Sequence, residues 1–134
     1  MNMKQNPAGI YQKTGAYSGA MYADPHALIT QMFDGAMTRI AQAKGAMERK
    51  ELAQQGELLS KAINILGSLE ACLDYDKGGE LATNLGLLYG YMIRSLAQAN
   101  IDKDTTKLDE IIKLILEIKS GWVQIAPAEA QKAG

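Results

Sequence analysis

The chain has 134 residues, of which 47% are hydrophobic and 22% are charged, and its formal net charge is −1. These values predict one globular domain with a substantial core, and they exclude a chain that is disordered throughout. Because the net charge is close to zero and lysine and arginine are dispersed, we predict neither a nucleic-acid partner nor binding to an anionic membrane.

The first 23 residues show no sustained hydrophobic period, and they contain Pro7 and several glycines. They nevertheless carry large apolar side chains, at Ile10, Tyr11, Tyr17, Met21 and Tyr22. We therefore predict a flexible N-terminal arm over residues 1–23, or a short extra helix within it, that can dock on the rest of the protein.

The beginning of the chain is too polar for a secretion signal, and no run reaches the ~18 apolar residues of a membrane span. The single cysteine, Cys72, lies in a leucine-rich stretch, which predicts a buried thiol in a reducing compartment. We therefore expect a cytoplasmic protein that does not insert directly into a membrane.

The first helix is predicted over residues 25–47. Asp24 can cap its first turn, and Pro25 suits the first helical position, where no N–H is needed. The apolar stripe that follows consists of Ile29, Met32, Phe33, Ala36, Ile40, Ala43 and Met47. His26, the only histidine, falls in the first turn, where we expect it to face solvent or to form a local hydrogen bond.

Three further helices follow, each with apolar residues every three or four positions. The second is predicted over residues 52–74, the third over 80–99 and the fourth over 106–124, where Thr106 and Asp109 resemble a capping box. The apolar stripe of the second helix consists of Leu59, Ala62, Ile63, Leu66, Leu69 and Leu73. That of the third helix consists of Leu81, Leu85, Leu88, Met92 and Leu96. That of the fourth helix consists of Leu108, Ile111, Ile115, Ile118, Trp122 and Ile125.

Four helices of about twenty residues with short joints pack as antiparallel neighbours. We therefore predict an all-α fold, an antiparallel up-down four-helix bundle over residues 24–125, followed by a disordered C-terminal tail over 126–134. The predicted core consists of Ile29, Phe33, Ile40, Leu59, Ile63, Leu66, Leu81, Leu85, Leu88, Leu108, Ile111, Ile115 and Ile118.

No group of residues predicts an enzyme, a metal site or a cofactor. Because the sequence contains a single histidine, any site that needs two histidines is excluded. This includes the paired Glu-x-x-His motifs of di-metal bundles. The loop that begins at Asp74 has Gly79 where a calcium loop needs its glycine, but Leu85 occupies the position of the bidentate glutamate. We therefore interpret the aspartates of this loop as turn residues.

The third and fourth helices are more apolar than a bundle core requires, since a core-facing helix needs about three apolar positions in seven. The surplus residues are Leu87, Tyr89, Tyr91, Ile93, Ile112, Leu114, Leu116 and Val123. They favour a groove for a partner helix over a wider core. Gly86 and Gly90 leave two explanations open, which are close helix packing and a shallow trough for an added helix.

A series of short motifs occurs in order between Tyr17 and Ile125. They are Asp24-Pro25-His26-x-Leu28-Ile29, Met32-Phe33-Asp34-Gly35-Ala36, Ala41-x-Ala43, Ile63-x-Ile65-x-x-x-Leu69, Leu73-Asp74, Gly78-Gly79-Glu80-Leu81-Ala82-x-Asn84-Leu85, Leu88-Tyr89-x-Tyr91-Met92, Leu96-x-x-Ala99-Asn100 and Gly121-Trp122. In this order and at these spacings, the chain resembles the flagellin-specific export chaperones of the FliS family.

The resemblance implies a helical bundle that binds the C-terminal segment of flagellin in the cytosol. It further implies that binding prevents premature polymerisation and assists delivery to the flagellar type III export apparatus, with an export-gate membrane protein and flagellar regulators as further partners. The alternatives are a helical oligomerisation or regulatory module with another amphipathic partner, and a small helical enzyme. We expect a monomer or a weak homodimer.

The predicted partner-binding residues are Tyr17, Leu28, Met32, Ile65, Leu69, Asn84, Leu85, Leu88, Tyr89 and Met92. We expect the ring of Tyr89 to form a groove wall while its hydroxyl stays in water. We also predict that the N-terminal arm covers part of the groove in the free protein and yields to the partner. The alternative is that the arm contacts the partner directly.

Overall fold

A computed structural model of the chain describes residues 9–11 and 24–125. Four helices make up the second range: α1 Pro25–Glu48, α2 Leu52–Ala71, α3 Tyr75–Asp102 and α4 Thr105–Val123. The predicted all-α four-helix bundle is thereby confirmed. None of these four helices has the length and hydropathy that a membrane span requires. Tyr17 and the tail over 126–134 lie outside the described residues.

The helices pack in chain order around the bundle, and α4 returns to pack against α1. Two ion pairs join α1 to α4, from Asp34 to Lys119 at 2.6 Å and from Lys44 to Asp109 at 3.0 Å. Since the earlier residue of α1 pairs with the later residue of α4, these two helices run antiparallel.

Aspartate side chains start three of the helices. Asp24, Asp74 and Asp104 each accept a hydrogen bond at 3.0 Å from a backbone N–H in the first turn of the helix that follows. Such a cap satisfies an N–H group that has no carbonyl partner within the helix. Pro25 occupies the first position of α1, as predicted.

The predicted capping box of α4 is wrong. The helix begins at Thr105, and its cap is Asp104, whose carboxylate accepts from the backbone N–H of Lys107. An aspartate two residues before Thr106 supplies the same hydrogen bond at an earlier position, so the pair of Thr106 and Asp109 is not used as a cap.

The third helix also begins earlier than predicted, at Tyr75 rather than at Glu80. Gly79 lies within it with φ 54° and ψ −132°, a conformation that favours glycine and interrupts the helical backbone. The Gly78-Gly79 pair is therefore a kink inside a helix and not the break between two helices.

Eight of the predicted core residues are buried: Ile29, Phe33, Ile40, Leu59, Leu66, Leu108, Ile111 and Ile115. Three more, Ile63, Leu85 and Ile118, are partly buried and pack against that core. The predicted stripes of α1, α2 and α4 therefore face the interior.

The predicted core face of α3 is wrong in its first half, where Leu81 and Leu88 are 38% and 36% exposed. The buried face of α3 consists of Gly78, Ala82, Gly86, Tyr89, Met92, Leu96 and Ala99. Small residues on this face allow close packing, because a Cβ on Gly86 would lie 2.8 Å from the Tyr75 hydroxyl oxygen. This contact favours close packing over an open trough at Gly86.

The short segment over residues 9–11 packs on the bundle at the α2–α3 joint. The backbone oxygen of Ile10 accepts from the N–H of Asp74 at 2.6 Å, and Tyr11 forms a single antiparallel bridge with Leu73. A Cβ on Gly78 would lie 3.3 Å from the Ile10 Cα atom, so the glycine allows this close approach. This part of the predicted arm thus lies against the core.

Candidate partner-binding groove

An open apolar groove lies between the first half of α3 and the second half of α4, and we call it the α3–α4 groove. Its volume is about 370 Å³. Its lining consists of Ile10, Tyr11, Phe33, Leu81, Leu85, Glu117, Ile118, Gly121, Trp122 and Ile125. Since Glu117 is the only charged residue in this lining, the groove suits an apolar ligand.

The groove exists because α3 and α4 pack less extensively than the other neighbouring helix pairs. Leu81 is exposed on the α3 side, while Ile118 and Ile125 are half-buried on the α4 side. Apolar surface left in water is unfavourable, and covering it contributes about 25 cal/mol for each Å² removed from solvent. A partner that covers these side chains would therefore gain binding energy.

Trp122 forms one end of the groove and is fixed by His26 from the start of α1. The two rings stack with their centroids 4.7 Å apart and their planes 18° apart. The His26 Nε2–H donates to the Trp122 backbone oxygen at 2.9 Å, and the Trp122 Nε1–H donates to the His26 backbone oxygen at 3.1 Å. The predicted solvent-facing or locally bonded His26 is therefore wrong, because it is buried and its ring bonds to another helix.

The Tyr11 side chain lies beside Trp122 in the lining of the groove. Its ring meets the Trp122 ring edge-on, with centroids 5.4 Å apart, and its hydroxyl forms a hydrogen bond with the Tyr89 hydroxyl. Burial is the main cause that raises the pKa of Tyr11 and that of Tyr89 above the ordinary value for tyrosine. Both phenols are therefore neutral at physiological pH, and their mutual hydrogen bond ties the segment to the core.

Comparison with known proteins identifies the family. The sequence model of the family described as flagellar protein FliS matches residues 7–129. The flagellar secretion chaperone FliSB of Pseudomonas aeruginosa is 48% identical over 112 residues, which cover 84% of this chain and 89% of that protein. The flagellar secretion chaperone FliS of Salmonella typhimurium is 45% identical over 118 residues, which cover 87% of each chain. The FliS of Bacillus subtilis is 32% identical over 125 residues, or 93% of this chain and 90% of that one.

The chain belongs to the FliS family. The resemblance seen in the ordered motifs is thereby confirmed, and family membership supports an export chaperone role in flagellar assembly.

Three of the predicted partner-binding residues of this FliS-family chain lie in the core. Leu69, Tyr89 and Met92 have no exposed surface. The expectation that the Tyr89 hydroxyl stays in water is wrong, because the inward face of α3 passes through this residue and the hydroxyl bonds to Tyr11. These three side chains can touch a partner only after a neighbouring segment moves.

Asn84, Leu85 and Leu88 lie on α3 near the groove. Leu85 lines it, whereas Asn84 and Leu88 are exposed on the same helix. These three FliS-family positions can therefore be reached by a partner without a change in the bundle. The two remaining predicted α3 contacts, Tyr89 and Met92, are the buried residues described above.

A separate group of predicted residues lies where α1 meets α2. The Cδ1 atom of Ile65 is 3.5 Å from the place where a Cβ on Gly35 would stand. Met32 and Leu28 precede Gly35 by about one and two turns, so they share its side of α1. Because these residues lie between α1 and α2, the structure does not bring them together with the α3–α4 groove.

Several groove residues were assigned to other roles by the sequence pattern. Ile118, Trp122 and Ile125 continue the core stripe of α4, and their place in the groove lining is not apparent from periodicity. Gly121 is the available signal, since no atom outside its own helix backbone and chain neighbours lies within 4 Å of the place where its Cβ would stand. A glycine inside a helix costs about 1 kcal/mol relative to alanine, but Gly56 and Gly67 on α2 are equally unpacked, so this signal alone does not locate the groove.

The acidic loop after α2 has a structural role in this FliS-family chain. Asp74 is engaged as the cap of α3, and Gly78 is packed against Ile10. Over residues 9–11 and 24–125, no three histidine, cysteine, aspartate or glutamate side chains form a group that could hold a metal ion. Cys72 is buried at the end of α2.

Proposed function

We propose that this chain is a cytoplasmic export chaperone that binds the C-terminal amphipathic segment of flagellin. Binding prevents premature polymerisation of flagellin and assists its delivery to the flagellar type III export apparatus. The observation that carries the proposal is the apolar α3–α4 groove in a member of the FliS family. An amphipathic helix can place its apolar face in such a groove, with its polar face in water.

Flagellin is the partner that the family resemblance implies, and the physical chemistry of the groove is compatible with it. A segment that is unfolded before assembly loses conformational entropy when it becomes a helix on the chaperone. Leu81, Ile118 and Ile125 offer apolar surface that can offset this cost, because each is incompletely buried in the free protein. The groove thus favours a segment with a continuous apolar stripe.

We further propose that the N-terminal arm competes with flagellin for part of the groove. Ile10 and Tyr11 contribute to the lining, and hydrogen bonds from Asp74 and to Tyr89 hold them there. Occupation by the arm lowers the apparent affinity, since only the fraction of molecules with an open groove binds. An export-gate membrane protein and flagellar regulators are proposed as partners of the loaded chaperone.

The test is the substitution Leu81→Ala, measured by calorimetric titration with the C-terminal segment of flagellin from the same bacterium. Leu81 lines the groove and is exposed, so its truncation removes contact surface at little cost to folding. We expect a loss of affinity of about tenfold, which corresponds to ~1.4 kcal/mol. Leu52→Ala is the matched control, because Leu52 is 57% exposed at the start of α2, away from the groove.

Equal affinities of the two variants and the unsubstituted chain would contradict the groove as the flagellin site. Light scattering on the same samples addresses the alternative function. If Leu81→Ala lowered the mass of a stable oligomer while flagellin bound to neither form, the groove would belong to an oligomerisation module.

A further inference from the structure

Beneath the α3–α4 groove lies a hydroxyl group that the N-terminal segment covers. Tyr89 has no exposed surface, and its hydroxyl bonds to that of Tyr11, whose side chain lines the groove. Among the residues that the structure describes, the Tyr89 hydroxyl has no other hydrogen-bond partner. The segment over residues 9–11 therefore supplies the hydrogen bond that this buried group requires.

The same segment makes a second polar contact with the bundle, and solvent can replace that one. The Asp74 backbone N–H donates to the Ile10 backbone oxygen at 2.6 Å. Asp74 lies at the joint between α2 and α3 and is only partly buried, so water can take the place of the Ile10 oxygen. This N–H group thus places no requirement on a partner that displaces the segment.

Water is a poor replacement at the Tyr89 hydroxyl once a partner fills the groove. A trapped water is stable with about two to four polar partners. Apart from Tyr11, the one polar side chain of the lining that ionises is Glu117, which is exposed. The Trp122 indole N–H already donates to the His26 backbone oxygen at 3.1 Å. A water beside Tyr89 would therefore lack the partners that it needs.

The partner itself consequently determines whether the Tyr89 hydroxyl keeps a hydrogen bond. A purely apolar segment would leave a buried hydroxyl unpaired, which is unfavourable. A charged side chain would lose its hydration in an apolar groove, at a still greater cost. A neutral side chain with a hydroxyl or a carboxamide avoids both costs.

We propose that the groove recognises a neutral hydrogen-bonding side chain within the apolar stripe of its partner, and that the Tyr89 hydroxyl binds this side chain. The Tyr11 side chain shows the chemistry that fits the place. Its apolar ring contacts the Trp122 ring, and its polar tip bonds to Tyr89. The inference rests on the proposed function, including displacement of the arm by flagellin.

The test uses a set of flagellin C-terminal segments, each with one neutral hydrogen-bonding side chain replaced by an apolar one of similar shape. Each segment is titrated calorimetrically against the full chain and against the full chain with Tyr89→Phe. We expect one replacement to weaken binding to the unsubstituted chain about three- to tenfold, the range of one hydrogen bond. The same replacement should change binding to Tyr89→Phe by less than about twofold, because the hydroxyl is absent.

Tyr11→Phe is the matched control. It removes the same hydrogen bond between Tyr11 and Tyr89 but keeps the Tyr89 hydroxyl, so the decisive replacement should retain its full effect. A change in competition by the arm multiplies the affinity of every segment by the same factor and cancels in the ratio of two segments. Circular dichroism and urea unfolding check that both variants fold.

The outcomes separate the inference from the function on which it rests. The inference would be overturned, and the proposed function would stand, if no replacement weakened binding or if each had the same effect on the unsubstituted and Tyr89→Phe chains. Loss of the effect in Tyr11→Phe would also overturn it, since that variant keeps the hydroxyl. An unsubstituted chain that does not bind the flagellin segment would overturn both the proposed function and the inference.

Discussion

Leu66 has no exposed surface at the centre of the core, and truncation of its side chain is expected to leave a cavity. We predict that Leu66→Ala lowers the free energy of unfolding by ~2–5 kcal/mol, measured by urea denaturation. Leu87→Ala is the control, because Leu87 is 69% exposed and its truncation should change stability by less than about 0.5 kcal/mol. A loss below about 1 kcal/mol for Leu66→Ala would contradict the assignment of this face of α2 to the core.

The buried hydroxyl pair of Tyr11 and Tyr89 predicts a loss of stability in alkali. In the folded chain the pKa of each phenol is raised chiefly by burial, whereas an unfolded tyrosine has a pKa of about 10. As the pH rises above about 10, the unfolded chain releases protons that the folded chain keeps. The free energy of unfolding therefore falls above pH ~10, by at most ~1.4 kcal/mol per pH unit for each phenol, and keeps its full value below that pH.

The double variant Tyr11→Phe with Tyr89→Phe checks the source of this alkaline decline. Without the two buried phenols, the free energy of unfolding should depend less steeply on pH between about 10 and 12. Urea denaturation at a series of pH values measures the slope. Equal slopes in the variant and the unsubstituted chain would assign the decline to other groups.

At the scale of a helix, the start of α4 depends on Asp104. Its carboxylate accepts from the Lys107 N–H, so Asp104→Ala should lower the free energy of unfolding by ~0.5–2 kcal/mol. Thr106→Ala is a direct comparison, because Thr106 is exposed and is not the cap. We expect a change within about 0.5 kcal/mol for it in thermal or urea unfolding. The opposite ranking would restore the capping box that the sequence predicts.

The third helix is the one whose buried face the hydrophobic period does not identify. Its sequence contains two interleaved stripes, one of large residues that includes Leu81 and Leu88, and one that includes Ala82 and Gly86. Hydrophobicity favours the first stripe, yet the second is buried, and the absence of a side chain at Gly86 leaves room for the side chains of Tyr75 and Leu73. Hydrophobicity favours the larger side chains, but packing geometry decides between two stripes on one helix.

For the whole molecule, the N-terminal arm is the element whose removal is most informative. Deletion of residues 1–16 removes Ile10 and Tyr11 from the groove lining. We predict that the truncated chain binds the flagellin segment as tightly as the full chain or more tightly, because the arm no longer competes. The free truncated protein should also expose more apolar surface, measured by binding of a hydrophobic fluorescent dye.

A shorter deletion, of residues 1–8, leaves Gly9–Tyr11 in place and serves as the control. It should match the full chain in both affinity and dye binding. If the longer deletion abolished flagellin binding while circular dichroism and unfolding showed an intact bundle, the arm would be a contact element for the partner rather than a competitor.

The four helices, the approximate bounds of α1, α2 and α4, and three of the four core faces follow from the sequence alone. Aspartate caps and a 3–4 residue apolar period act within one turn of a helix, so neighbouring residues determine them. The ordered motifs likewise predicted the family, which the comparisons confirm. The helices and their caps depend on residues that are close together in the chain, and the family resemblance depends on the order of short motifs along it.

The tertiary structure alone decided the shape of the candidate site. His26 and Trp122 are far apart in sequence yet bond to each other, and Tyr11 reaches Tyr89 across the bundle. The same packing buries Tyr89 and Met92 and leaves Leu81 exposed beside Ile118. A groove is the gap left where two helices fail to close on each other, so its lining depends on distances between elements, which hydrophobic periodicity along one helix does not determine.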